Sequence, residues 1–161
     1  MTPFRIMIHG RPAPAGSKTS QVVRDRKGQV VWYKTSGGAE RPVLVTRPAS
    51  KYQKPWQYAV QIQLRAAWYG EPLHGPLAVT MEFIFRRPAS HYGTGKHRSQ
   101  MKPSAPKAMT STPDLSKLIR ATEDGCTGIA WSDDRQITAS VAGKKWSRDK
   151  SGCMLTVEQD R

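Results

Sequence analysis

The run GPLAVTMEFIFRR, Gly75 to Arg87, constrains the fold more than any other stretch. Leu77, Val79, Met81, Phe83 and Phe85 sit at alternate positions, the period of a strand with one face in a core. The segment KPWQYAVQIQLRAAWYG has a different period. Trp56, Ala59, Val60, Leu64 and Ala67 recur every three or four residues, with Pro55 near the start and Gly70 at the end. This spacing predicts a helix from about Lys54 to Tyr69. Phe4, Ile6 and Ile8 alternate with Arg5, Met7 and His9 in a further predicted strand, closed by Gly10. QVVRDRKGQVVWYK reads as a hairpin turning at Asp25–Gly28, and Val43–Val45 as a short strand. Ile137, Ala139 and Val141 alternate in a strand that ends in a basic tip, and Cys153–Gln159 forms the last strand. With a second helix after Pro113, the order predicts one α+β domain over residues 1–161. Its mixed or antiparallel sheet packs against two main helices.

Charge narrows the function. The formal net charge is +14 and the isoelectric point about 10.2, which points to a polyanionic partner, nucleic acid or an anionic membrane. No run approaches the length of a membrane span, the N-terminal stretch has no secretion pattern, and no basic amphipathic helix offers a clean apolar face to a bilayer. Cys126 and Cys153 make no disulfide framework and suit a reducing cytoplasm. Neither has the spaced partners of a zinc site.

The acids are unevenly placed. Five of the twelve lie between Asp114 and Asp134, against two bases, Lys117 and Arg120, so this island is net negative within a basic chain. On a helical wheel from Asp114, Leu118, Thr122, Leu115 and Ile119 form an apolar stripe. Ser116, Arg120, Asp124 and Lys117 share the opposite side with Asp114. Asp133 and Asp134, entering the next strand, point to opposite faces, so one can return toward that polar side. Mg²⁺ takes oxygen ligands, typically one or two carboxylates with water and substrate phosphate. Asp114, Asp134 and Asp124 are candidate ligands, and Arg120 or Lys117 a phosphate clamp. The plainer reading makes Asp114 a helix-start charge, Asp124 an ion pair with Arg120, and Asp133 a turn cap.

Residues 86–112 form a long polar loop with six Lys or Arg and no acid. Lys96, Arg98 and Lys102 there are candidate phosphate contacts, with His91 and Tyr92 able to touch sugar or base. A linker of the same composition is the alternative. Lys144, Lys145, Trp146 and Arg148 are further candidates for backbone contact, or else a solvated strand end.

The stretch TPDLSKLIRATEDGCTGIAWSDDRQI, Thr112 to Ile137, resembles the core motif of the RusA family of Holliday-junction resolvases. That motif has a Pro-Asp-x-Asp helix start, a basic residue, an Asp-Gly-Cys-Thr-like helix end, an aromatic residue and an Asp-Asp pair. IHGRPAPAGSK resembles the family's first strand and proline turn. HYGTG, before the motif, is similar to the form found in phages and relatives of actinobacteria. The resemblance implies a homodimeric, Mg²⁺-dependent endonuclease, with Mn²⁺ as a substitute, that binds four-way DNA junctions and nicks two strands symmetrically in recombination or repair. It assigns catalytic roles to Asp114, Asp134 and Arg120, and metal ligation to Asp114, Asp124, Asp133 and Asp134. The chain departs from the pattern at Ser116, where the family has its second aspartate, and at Arg120, where it has lysine. Serine is a poor Mg²⁺ ligand and arginine lacks lysine's geometry. A set rebuilt with Asp124 or Glu123, a weakened metal site, and a protein that holds branched DNA without cutting it all remain open.

Overall fold

The computed structural model describes the chain apart from residues 1, 17, 49 and 161, and gives the backbone alone at 18, 19, 47 and 48. Four strands build the main sheet: β1 (Phe4–His9), β6 (Leu77–Arg86), β7 (Ile137–Ser147) and β8 (Gly152–Gln159), in the order β1-β8-β6-β7. β8 is antiparallel to both β1 and β6, while β6 and β7 are parallel. The sheet is therefore mixed. β2 (Lys18–Val22), β3 (Trp32–Lys34), β4 (Glu40–Pro42) and β5 (Leu44–Pro48) lie outside it in two small ribbons. The helices are α1 (Gln53–Ala67) and α2 (Leu115–Cys126).

The alternation in β6 behaves as its sequence predicts. Leu77, Val79, Met81, Phe83 and Phe85 are all buried. Across the sheet they meet Ile8, Cys153, Leu155 and Val157, and the helices cover them with Trp56, Val60, Leu64 and Leu118. At about 25 cal/mol per Å² of apolar area, each such side chain contributes roughly 1.5–3 kcal/mol against the entropy of ordering it.

The α1–α2 contact shifts the expected stripe of α2. Ala121, Thr122, Gly125 and Cys126 are buried with Leu118, while Leu115 and Ile119 are only half-buried. Gly125, a residue type common just past helix ends, lies within α2, which runs on to Cys126. A Cβ at Gly125 would come within 3.0 Å of the Val60 side chain, so the missing methyl is what lets the helices approach. The Trp56 indole N–H donates to Thr122 Oγ1 at 3.0 Å, and that hydroxyl donates to the Leu118 carbonyl at 2.9 Å. The turn comes later, at Gly128, whose φ of +79° is left-handed.

β7 differs from its sequence reading. Ile137 pairs with Leu77, but the register slips between Leu77 and Ala78. One extra residue turns every later side chain to the other face. Ala139 is exposed, Val141 is 67% exposed, and Ala142, Lys144 and Trp146 take the core side. The strand also runs through the expected basic tip to Ser147. The predicted hairpin turns at Asp25–Gly28, and its arms pair with each other beside the turn, through the Arg24–Val30 bridge and the Val31 N–H donating to the Val23 carbonyl at 2.9 Å; farther out they part to pair with β5 and β4. No described helix is long and apolar enough to cross a membrane.

Candidate nucleic-acid interface and the acidic end of the second helix

The topology explains where charges gather. β1, β6 and β7 run the same way, so their C-terminal ends share one edge of the sheet with the start of β8. At that edge lies a cleft of about 1080 Å³. Arg11 follows β1, Arg86 and Arg87 close β6, Arg148 follows β7, and Arg98 and Lys117 complete six cations around it. Among the described residues, Asp114 and Asp149 are the only acids in the lining. Crevices outside the carboxyl ends of strands are common ligand sites. Six cations in one crevice suit a chain of phosphates.

Each wall is fixed by identifiable bonds. The turn after β1 is tied to α2 by the Ala15 N–H donating to the Lys117 carbonyl at 2.8 Å. Phe85 and Met109, both buried, lie at the inner side of the lining. Trp146 receives the His91 ring edge-on at 5.4 Å and lies under the Arg87 guanidinium at 5.5 Å. Its N–H donates to the Ala108 carbonyl at 3.3 Å. Arg87 Nη1 donates to the Pro106 carbonyl at 2.8 Å, and Lys102 Nζ to that of Ser90 at 2.9 Å. The basic loop is therefore packed on the cleft, bonded along its length.

Asp114 sits at the N-cap of α2 without bonding to the helix backbone through its side chain. Its carboxylate pairs with Lys117 at 3.3 Å, and both side chains are about half exposed. Such a pair adds little stability, so the carboxylate remains available at the cleft rim. Lys144 positions this start. Its ammonium donates to the carbonyls of Ser111 and Pro113 at 2.9 and 2.8 Å. Lys145 pairs with Glu82 at 2.6 Å. Both lysines are thus engaged with the protein, whereas Arg98, Arg148 and Trp146 face the cleft and Lys96 is exposed. Ser116 is exposed in the first turn of α2.

The other carboxylates lie elsewhere. A helix joining two parallel neighbouring strands runs back across the sheet, so its start and the start of the next strand fall at opposite edges. Asp114 opens α2, and Asp134 immediately precedes β7. The twelve residues of α2 span about 18 Å. Asp134 lies at the far end, beside Glu123 and Asp124. Glu123 is half-buried, and its carboxyl is held above its usual range by that burial, then by Asp134 and Asp124, with Arg120 opposing. Gln57 Nε2 donates to Asp124 Oδ2 at 3.0 Å. Asp133 is already committed: Oδ1 accepts from the Arg135 N–H and Nε, and Oδ2 from Nη2, at 2.9–3.0 Å. These bonds hold its carboxyl below the usual range. With Gln136 accepting from its backbone, it closes a capping box over a single 3₁₀ turn, Asp134–Gln136.

Asp114 thus opens α2, while Asp124, Asp133 and Asp134 lie toward its other end. Mg²⁺ asks for oxygens near 2.0–2.1 Å from a single point. Among the described residues no three acidic, His or Cys side chains gather closely enough to hold a metal.

Arg11, Arg86 and Arg87 were missed by the sequence reading. The available signal was position: each follows a predicted strand directly, where side chains project from the sheet edge.

A mixed sheet with a cation-lined cleft at its strand ends and a carboxylate on the rim defines a phosphate-backbone-binding α+β domain of nuclease type. The model of the family described as Endodeoxyribonuclease RusA matches residues 18–158, and the chain belongs to that family. Its members are Holliday-junction-resolving, DNA-binding endonucleases, generally dependent on divalent metal. No curated protein matches the chain.

Proposed function

We propose that this chain acts as a homodimeric, divalent-metal-dependent endonuclease that grips a four-way DNA junction in the basic cleft and nicks two strands symmetrically. The observation that carries the reading is the cleft itself, six cations and two carboxylates, one of them Asp114 at the start of α2. Arg11, Arg87, Arg148 and Lys117 bind backbone phosphates and set the register of the DNA. Asp114 stands within reach of the strand they hold.

The homodimer answers the separation of the acids. A twofold axis across α2 lays two copies antiparallel, so the start of one helix meets the end of the other. Asp114 of one copy then faces Asp134 of a second copy, with Asp124 and Glu123 nearby. Arg120 lies on the same exposed side. Mg²⁺ or Mn²⁺ is the cofactor of this arrangement, recombination or repair its setting, and the cytoplasm its compartment.

The test is cleavage of an end-labelled four-way junction with and without Mg²⁺ or Mn²⁺. Paired, symmetric products that vanish in Asp114→Asn and Asp134→Asn, with junction binding kept, support the reading. Full activity in both variants contradicts it. A second reading, a module that holds branched DNA without cutting, is favoured by Ser116 at a ligand position. Binding without products in either metal would establish that one.

A further inference from the structure

Residues 18–48 form an arm with no core of its own. β2 and β5 pair over five residues, Lys18 opposite Pro48 through Val22 opposite Leu44. Beyond them the arm divides. Val23, Val31 and Val43 share three backbone hydrogen bonds of 2.8–2.9 Å, from which two tips diverge. One tip turns at Asp25–Gly28, where Asp25 Oδ1 accepts from the N–H groups of Lys27 and Gln29. The other is the β3–β4 ribbon, turned at Thr35–Gly38. Gly28 and Gly38 have φ of +80° and +81°, which side-chain-bearing residues rarely adopt.

From residue 20 to residue 46 nothing is buried, and among the described residues the arm shares no hydrogen bond with the rest of the chain. It nevertheless carries Val22, Trp32, Tyr33, Leu44 and Val45, five of the eleven large hydrophobic side chains that stand exposed among the described residues. Trp32 is 57% and Tyr33 49% exposed. Isolated two-stranded ribbons are marginal in water, so such a surface needs an occupant.

Charge and position say which. The arm has seven Lys or Arg against two acids. Both acids are occupied, Asp25 in its turn and Glu40 with Lys34 at 4.0 Å. Two such arms repel one another, whereas a polyanion attracts both. The arm is also rooted at the cleft: Arg11 to Pro14 before it, and Ser50 and Tyr52 after it, line that crevice. Gly16 is tied to α1 by its N–H donating to Gln53 Oε1 at 2.8 Å. Adjacent strand residues point to opposite faces, so Trp32 and Tyr33 offer one aromatic face on each side of the ribbon. Aromatic rings interleaved with cations are what unstacked bases bind.

We propose that the 18–48 arm is a second DNA-contacting element, in which Trp32 and Tyr33 stack on unpaired bases at the branch point while Arg26, Lys27 and Arg41 hold neighbouring phosphates. The inference rests on the junction-binding reading and adds to it the part of the DNA that is recognised. The probes are a four-way junction carrying 2-aminopurine at the branch nucleotide and a linear duplex of the same length. The Trp32→Ala/Tyr33→Ala protein should bind the junction about tenfold more weakly, lose the 2-aminopurine response, and bind the duplex within twofold of wild type. The Trp32→Phe/Tyr33→Phe protein should keep both junction properties. Unchanged junction affinity in the alanine protein overturns the proposal, as does an equal loss on junction and duplex. A fall from dimer to monomer without DNA also overturns it, by assigning the arm to a second copy. The two readings fail separately. Wild type that binds and cuts the junction while the alanine protein matches it removes only the arm's role; wild type that binds no junction removes both.

Discussion

The two ends of α2 carry opposite chemistry. At its start, Asp114 stands among six cations on the rim of a cleft of about 1080 Å³. At its far end, burial and then repulsion from Asp134 and Asp124 keep Glu123 reluctant to ionise. One end is built to receive negative charge and the other concentrates it. A parallel β–α–β connection forces this separation, because the helix must return across the sheet before β7 begins. A motif continuous in sequence is thereby split in space, and the proposed dimer is what would reunite its halves.

The largest effect that would sharpen this contrast is at Trp131, fully buried beneath the acidic end. Trp131→Ala should cost about 3–5 kcal/mol, read as a lower urea midpoint, and it should abolish cutting because Asp134 loses its support. A small change would mean that the acidic end is held by its capping box alone. Gly125→Ala, pressing a methyl on Val60, should cost about 1–3 kcal/mol without altering DNA affinity per folded molecule. At the cleft, replacing Arg87 and Arg148 together by Gln should lower the slope of log affinity against log salt by about 2, measured by titration at several salt concentrations. Glu123→Gln should leave that slope unchanged. Equal slopes for the two variants would erase the distinction between the ends.

The pH dependence has a definite sign. A carboxyl whose folded pKa is raised contributes stability below its unfolded value and loses it as pH rises through the folded one. Glu123→Gln should therefore raise the melting temperature near neutrality by about 1–2 °C, with the gain vanishing below about pH 4. A variant less stable at neutral pH would contradict the crowding. The smallest effect concerns the thiols. Burial pushes Cys126 well up and Cys153 to about 12. Neither should react with a thiol reagent at pH 8 until the protein unfolds.

Much of this molecule is legible before any coordinates. The alternating residues of β6, the three-and-four spacing of α1 and the overall basic charge follow from local pattern. Short-range periodicity also places the start of α2, since Asp114 after a proline leaves few alternatives. What escapes is relational. The bulge that turns Val141 outward depends on pairing with β6, not on anything within β7. The packing role of Gly125 shows only when Val60 is seen against it. Lys144 and Lys145 look like free cations until the carbonyls of Ser111 and Pro113 and the carboxylate of Glu82 are placed beside them. The opposition of Asp114 and Asp134 needs only the fact that β6 and β7 are parallel, which no local window contains.

The most direct test of the central claim is a mixing experiment. Asp114→Asn and Asp134→Asn proteins, each inactive alone, are unfolded together, refolded, and assayed on a labelled four-way junction with Mg²⁺. If each catalytic centre draws Asp114 from one copy and Asp134 from the other, half of the refolded dimers recover one intact centre and single-strand nicks reappear. If the mixture stays as inactive as its components while each variant still binds the junction, the acids do not act across two chains and the account of this site is wrong.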